Sequence, residues 1–445
     1  MPGAVVLGAG VAGESFVAAL RRHDERVPIT VIERELAGGE CSYWACIPSK
    51  TMLRPLEVAG RASVAPGVRL DGVDVAQIFA WRDEVAAKDD ASQVEWLEGL
   101  GARFVRGRAE VVEPGRVDVA GTSYDYDDLL LATGSLPATP PMAGLDEVGF
   151  WTSRDATTAT RVPESLAVVG GGAVGCELAQ FYARAGSRVT LVQSGPHLLE
   201  RVDRDAGLLL AKSLEQDGID VFTQTRAASV ERANGLLRLR CEGKSALELE
   251  ATHLLVATGR RPNTEGFGLD RLPLEVERRG IAVDERLRAA DGVWAAGDVT
   301  GVSQFTHVGK YQGRIAAANV AGRETRADYR AIPAAIFTDP QIASVGDTSA
   351  ADETVTATWS LESVSRASTY ARPKRPGFVK LFADPARGVL IGAVVVGPEA
   401  GEWLGQLTLA VRAEVPVETL RDTIQPFPTF SEAIFFAARD LPCDG

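Results

Sequence analysis

The sequence is short of cysteine: 445 residues hold five, at positions 41, 46, 176, 241 and 443. That is too few for a disulfide framework, and neither a further cysteine pair nor a histidine-rich cluster offers a structural zinc site. Histidine is scarcer still, with only His23, His197, His253 and His307, so acid–base chemistry has few imidazoles to draw on. Basic residues are outnumbered 47 to 60, and a net charge of −13 excludes the surface that a nucleic-acid or anionic-membrane partner requires. No apolar run reaches about 18 residues, and Met1-Pro2-Gly3 leads into a strand without a basic leader, so a cytoplasmic protein is expected. Glycine, in contrast, is plentiful at 45 residues, which predicts several tight backbone turns. An apolar content of 45% and a charged content of 24% describe a globular chain, and the length suits roughly two to four domains.

The glycines cluster where they carry chemistry. Ala4-Val5-Val6-Leu7 reads as a buried parallel strand running into Gly8-Ala9-Gly10-Val11-Ala12-Gly13 and then a helix from Glu14 to Arg21. A second strand, Ile29 to Ile32, ends on Glu33, 20 residues beyond Gly13, where a carboxylate meets the ribose of a dinucleotide. Side chains in place of Gly8, Gly10 and Gly13 would hold the backbone away from a pyrophosphate on the helix N-terminus. The unit recurs as Leu166 to Val169, Gly170-Gly171-Gly172-Ala173-Val174-Gly175, a helix from Cys176 to Ala185 and a strand from Arg188 to Val192. Two units imply two dinucleotides, hence electron passage between a bound flavin and a diffusible nicotinamide. Gln193 stands where an acid would select NAD, so a 2′-phosphate is not repelled there and NADPH is slightly favoured over NADH. His197 and Arg201 follow, either to meet that phosphate or merely to be solvated.

Between the units, Asp74 to Leu100 reads as one long helix, and Arg103 to Val119 as strands about the Pro114-Gly115 turn. Leu129 to Ser135 is a buried strand ending in a glycine turn, Pro137, Pro140 and Pro141 read as a linker, and Leu254 to Pro262 repeats the strand and turn. The repetition makes an inserted domain the natural reading. Val293 to Asp298 is a further strand ending in Gly-Asp, where Asp298 could bind a ribityl hydroxyl or simply form a turn. Beyond about Ala331, alternating strands and helices without a nucleotide fingerprint predict an α+β domain for association or substrate.

The chemistry centres on Gly39-Glu40-Cys41-Ser42-Tyr43-Trp44-Ala45-Cys46-Ile47-Pro48-Ser49-Lys50, either two buried thiols or a two-electron switch. With these motifs, Ala132-Thr133-Gly134, Ala257-Thr258-Gly259, Gly297-Asp298 and Phe337-Thr338-Asp339-Pro340, the full length resembles the flavin-dependent pyridine nucleotide-disulfide oxidoreductases. This family includes dihydrolipoamide dehydrogenase, glutathione and mycothione reductases, mercuric reductase and soluble transhydrogenase. The resemblance implies an α/β fold of two Rossmann-like dinucleotide-binding domains plus a C-terminal α+β dimerisation domain. FAD binding would occupy 1–150 and 281–330, NAD(P) binding 151–280, and dimerisation 331–445. It implies FAD contacts from Gly8, Gly10, Gly13, Glu33, Arg34, Gly39, Lys50, Thr133, Gly134, Asp298 and His307. It implies NADPH or NADH contacts from Gly170, Gly172, Gly175, Gln193 and Gly259. Hydride would pass from nicotinamide to flavin, and electrons from there to the Cys41–Cys46 disulfide. Cys46 would face the flavin and Cys41 the substrate, with Lys50 paired to Glu177 and stabilising a thiolate.

The family completes its active site across a homodimer, where a His before Pro-Thr moves a proton and a Glu orients it. Here the stretch reads Gln425-Pro426-Phe427-Pro428-Thr429-Phe430-Ser431-Glu432, so Phe427 occupies the His position and Glu432 lacks its expected partner. A phenyl ring moves no proton. The expected activity is therefore FAD-dependent electron transfer from NAD(P)H through Cys41–Cys46 to a small acceptor other than a standard disulfide: a quinone, a metal ion, oxygen or a special disulfide. The alternatives are a lipoamide or low-molecular-weight disulfide enzyme with a substitute acid, a transhydrogenase-like enzyme, and a flavin sensor without turnover. Transhydrogenases of this kind are expected to lack one cysteine of the pair. His307 reads first as a residue held at the cofactor, Cys443 as an inert thiol in a frayed tail, and Cys176 and Cys241 as packing residues.

Overall fold

The computed structural model describes residues 3–244, 246–349, 353–370 and 377–443. The chain forms two compact units, one from Met1–Pro48, Asp83–Ala138 and Gly259–Asp328, the other from Ser49–Arg82, Thr139–Thr258 and Tyr329–Gly445.

The first unit is built on the strand Gly3–Leu7, whose residues Ala4 to Leu7 are buried on both faces, as a central parallel strand requires. Ile29–Glu33 pairs with it on one side and Thr122–Leu131 on the other, both parallel, and Ala102–Arg106 and Val293–Ala295 extend the sheet outward. The helix Val11–His23 lies against the helix Thr306–Val320, and their backbones touch, since a Cβ on Gly313 would sit 2.3 Å from Ala12 O. Phe16, Val17, Leu20, Val31, Leu130 and Ala316 fill the core between helices and sheet.

Among the described residues, the second unit holds three sheets. Asp220–Phe222, Arg188–Val192, Ser165–Val169 and His253–Val256 form a four-stranded parallel sheet, covered by the helix Ala173–Arg184. Thr225–Ala233, Leu236–Gly243 and Leu247–Ala251 form an antiparallel meander. The last sheet is antiparallel, ordered Pro333–Ile336, Gln341–Gly346, Val389–Gly397, Phe378–Asp384, Val355–Ser360, with helices Ala400–Arg412 and Glu432–Arg439 over its face. The α/β architecture with a terminal α+β region is thus present. No helix among the described residues is long and apolar enough to cross a membrane.

Three sequence expectations are corrected. The stretch 74–100 is two helices, Val75–Val85 and Ala91–Gly99, because at the break Asp89 captures a backbone amide of the second helix and Asp90 is drawn to a distant one. Asp89 Oδ1 accepts from Ala91 N (3.0 Å), and Asp90 Oδ2 accepts from Ala37 N (2.7 Å) and from Arg106. Pro137 is not linker but the end of the short strand Ser135–Pro137, paired with Arg260–Pro262. Cys443 is not in a frayed tail: it is 7% exposed in the core of the last sheet, where Arg421 holds the Leu441 and Cys443 carbonyls.

Candidate functional site

The two glycine loops are built alike. Gly8 and Gly170 have φ of +106° and +112°, and a Cβ on either would collide with the carbonyl of Ala132 or Ala257, at 2.3 and 2.4 Å. At Gly13 and Gly175 a Cβ would lie 2.1 and 1.9 Å from the carbonyls of Gly8 and Gly170, so helix and loop pack backbone to backbone. The middle glycines differ in kind. Nothing lies within 4 Å of a Cβ on Gly172, and one on Gly10 meets only Gly39 Cα at 3.9 Å. These two are small for something the chain itself does not supply, which fits a pyrophosphate at the N-termini of the 13- and 12-residue helices that follow. Glu33 braces the first loop, accepting from Ala9 N through Oε2 (2.9 Å) and from Glu35 N through Oε1 (2.7 Å). Gln193 braces the second, its Oε1 accepting from Gly171 N (2.9 Å).

Around the first loop, Thr133 Oγ1 donates to Asn263 O (2.7 Å) while Asn263 donates back to Thr133 O (3.1 Å) and to Gly134 O (2.9 Å). Gly39 lies against Gly10, its Cβ position 2.8 Å from Gly10 Cα. Arg34 pairs only loosely with Glu35, at 3.9 Å. Gly259 has φ +125°, and its carbonyl accepts from Ala138 N (2.9 Å). Burial raises the pKa of Asp298, opposed by a hydrogen bond from Ser135 Oγ (2.5 Å) and by the charge of Arg260. Arg260 donates to Ser135 Oγ and O (2.7 and 2.8 Å) and stands 3.6 Å from Glu40, the neighbour of Cys41.

Cys41 lies in the helix Gly39–Tyr43, and Cys46 opens the helix Cys46–Ala62. One hydroxyl serves both. Thr306 Oγ1, in the first turn of Thr306–Val320, donates to Cys41 Sγ (3.0 Å) and lies 3.6 Å from Cys46 Sγ. The Cys41 thiol is raised well above the ordinary thiol range, first by its hydrogen bond with the Cys46 sulfur and then by burial, against the opposing effect of Thr306. Thr306 carries no motif of its own and stands 265 residues from Cys41 in sequence. Beside it, His307 stacks on Phe305 with centroids 5.2 Å apart and planes at 12°.

Lys50 follows Cys46 by one turn of the same helix. Its Nζ donates to Glu177 Oε2 at 2.6 Å and sits 4.9 Å from the Phe337 ring centroid. Glu177 is 4% exposed and fully engaged, since its Oε1 accepts from Phe337 N (2.9 Å). Removing the lysine would leave a buried carboxylate uncompensated, a loss of about 3–5 kcal/mol in a dry site and less here because Lys50 is 32% exposed. The pairing expected from the resemblance is therefore formed. The role of Phe337 was not legible, because a backbone amide has no sequence signature.

Phe427 is 73% exposed, and Glu432 Oε2 accepts from Thr429 N at 3.3 Å. Burial raises the thiol pKa of both Cys176 and Cys241, which suits packing residues, and Cys176 donates to Gly171 O (3.4 Å). His197 Nδ1 donates to Leu198 O (2.8 Å), and Arg201 is exposed.

Two glycine loops, a cysteine pair and a lysine paired with a buried glutamate are the features of a flavoprotein of the dithiol class. Residues 3–325 match the family model for pyridine nucleotide-disulphide oxidoreductase, and 332–438 match the model for the dimerisation domain of the same family. The chain is 35% identical to a dihydrolipoyl dehydrogenase of Thermus scotoductus, over 98% of this chain and 96% of that one. It is 36% identical to a mercuric reductase of Acidithiobacillus ferrooxidans, over 99% and 82% of the two chains. The crystal structure of LpdA from Mycobacterium tuberculosis superposes with a TM-score of 0.87 at 32% identity, over 99% of each chain. The protein belongs to the pyridine nucleotide-disulfide oxidoreductases and is an FAD-dependent NAD(P)H oxidoreductase with a redox-active Cys41–Cys46 pair.

Proposed function

We propose that the protein works as a homodimer whose Cys41–Cys46 dithiol reduces an acceptor that needs no protonated thiol leaving group: a soft metal ion, a quinone, oxygen or a disulfide of acidic thiols. The observation that carries this reading is the exposed phenyl ring of Phe427 where the family resemblance calls for an acid–base imidazole. A polar partner shared by the two sulfurs is the Thr306 hydroxyl, which holds a thiolate by hydrogen bonding but is too weak an acid to protonate a leaving group. Similarity to a protein named mercuric reductase supports the metal-ion member of this class.

Bound FAD supplies two-electron exchange between a reduced nicotinamide and a sulfur pair. The residues proposed to hold it are Gly8, Gly10, Gly13, Glu33, Arg34, Gly39, Lys50, Thr133, Gly134, Asp298 and His307. Gly170, Gly172, Gly175, Gln193 and Gly259 are proposed for the nicotinamide nucleotide, within domains running 1–150 and 281–330 for FAD and 151–280 for NAD(P). Cys46 is assigned to the flavin side and Cys41 to the acceptor. In each turnover two thiols become one disulfide, giving two electrons to the acceptor and two protons to solvent. Thr306 orients the thiolate, and Lys50, held by Glu177, adds the positive charge that favours it. Residues 331–445 are proposed to form the dimer, so that the segment around Phe427 closes the site of the partner subunit.

The test is a steady-state screen of the FAD-loaded enzyme with lipoamide, glutathione disulfide, a quinone and Hg(II). Fast turnover is expected with the quinone or the metal ion and slow turnover with both disulfides, and Phe427→His should raise lipoamide turnover by about tenfold or more. Lipoamide reduction at ordinary enzyme rates by the unaltered protein would refute the reading of Phe427.

A further inference from the structure

At the second glycine loop, the strand end that discriminates between the nicotinamide nucleotides carries an acid that does not belong to the strand. Gln193 spends its Oε1 on Gly171 N (2.9 Å), which turns its amide nitrogen toward Glu200 Oε2, 3.5 Å away. The intervening loop is shaped to bring that carboxylate back. Leu199 N donates to Gly171 O (2.9 Å), and Leu198 and Leu199 are buried. Gly195 leaves the space the carboxylate uses, since a Cβ there would stand 2.2 Å from Glu200 Oε2. The far end of the loop is fastened as well. Thr348 Oγ1 donates to Val202 O (3.0 Å), and Lys380 Nζ donates to Asp203 and Asp205 (2.9 Å each). Glu200 is thus presented to solvent beside the strand end by a loop anchored on both sides, while His197, the nearest imidazole in sequence, is tied through Nδ1 to Leu198 O.

We infer that Glu200 is a specificity-determining residue that makes this unit prefer NADH to NADPH. Its carboxylate accepts from a ribose hydroxyl and repels a 2′-phosphate, supplying from seven residues downstream the charge that Gln193 lacks. The preference runs against what Gln193 alone implies. The inference rests on the reading that the second loop holds the nicotinamide nucleotide.

Calorimetric titration of the oxidised, FAD-loaded protein with 5′-ADP and with 2′,5′-ADP tests it without turnover. The unaltered protein should bind 5′-ADP at least about tenfold more tightly, with the ratio shrinking as salt is raised. Glu200→Gln should narrow the ratio about fivefold, and Glu200→Arg should reverse it. Tighter binding of 2′,5′-ADP by the unaltered protein, or an unchanged ratio in Glu200→Gln, would overturn the inference while leaving the nucleotide site standing. Binding of neither probe would overturn the inference together with the assignment on which it rests.

Discussion

The two glycine loops share a backbone and differ in what surrounds it. In both, the first and last glycines are demanded by collisions within the chain, and the middle one is left open. In both, an oxygen from the end of the second strand ties down the loop's second amide: Glu33 to Ala9, Gln193 to Gly171. The differences lie one atom further out. Glu33 is a carboxylic acid, whereas Gln193 is an amide with the Glu200 carboxylate beside it. Directly after the last glycine, the first unit carries Glu14 and the second Cys176. Loop geometry is therefore set by steric need, and the side chains at the strand ends are free to differ.

Substitutions at the glycines should break the parallel most severely. Gly175→Ala places a Cβ 1.9 Å from Gly170 O and should cost about 3 kcal/mol or more, read as a lowered urea midpoint. Gly172→Ala meets nothing and should unfold at the same urea concentration while losing nucleotide affinity in a calorimetric titration. If the two variants were equally stable, the steric account would fail. A smaller effect is expected at the strand ends. Glu33→Gln keeps an oxygen for Ala9 N but removes the charge, so FAD should dissociate about tenfold more readily, measured by apoprotein titration. Unchanged FAD affinity would show that the carboxylate serves only the loop.

An effect confined to a pH window concerns Glu14, whose carboxyl is pushed up from 4.5 to about 7 by burial, with the charge of Lys310 pulling the other way. The folded chain keeps a proton that the unfolded chain loses, so this group's contribution to stability falls as pH rises from about 4.5 to about 7 and is level above that. Glu14→Gln should flatten the dependence of the thermal midpoint on pH in that window, where the shift corresponds to roughly 3 kcal/mol of stability. An identical slope in the variant would contradict it.

Much of this was legible in the sequence, for identifiable reasons. Buried parallel strands read as apolar runs, and the glycine loops obey fixed spacing, so both units, the strand ends at Glu33 and Gln193, and the terminal α+β region were visible. The Lys50–Glu177 pair came from family resemblance rather than from any pattern within this chain. Thr306, Asn263 and the Phe337 amide were not visible, because each acts through a hydrogen bond spanning more than a hundred residues. The break between Val85 and Ala91 was missed because Asp89 and Asp90 look like the charged face of a helix until their carboxylates find backbone amides.

Thr306 has one hydroxyl hydrogen and two sulfur neighbours. It can therefore favour only one thiolate at a time, and turning a single side-chain bond changes which one. The rotamer of one side chain thus biases where the negative charge rests between Cys41 and Cys46, with no strand or helix having to move.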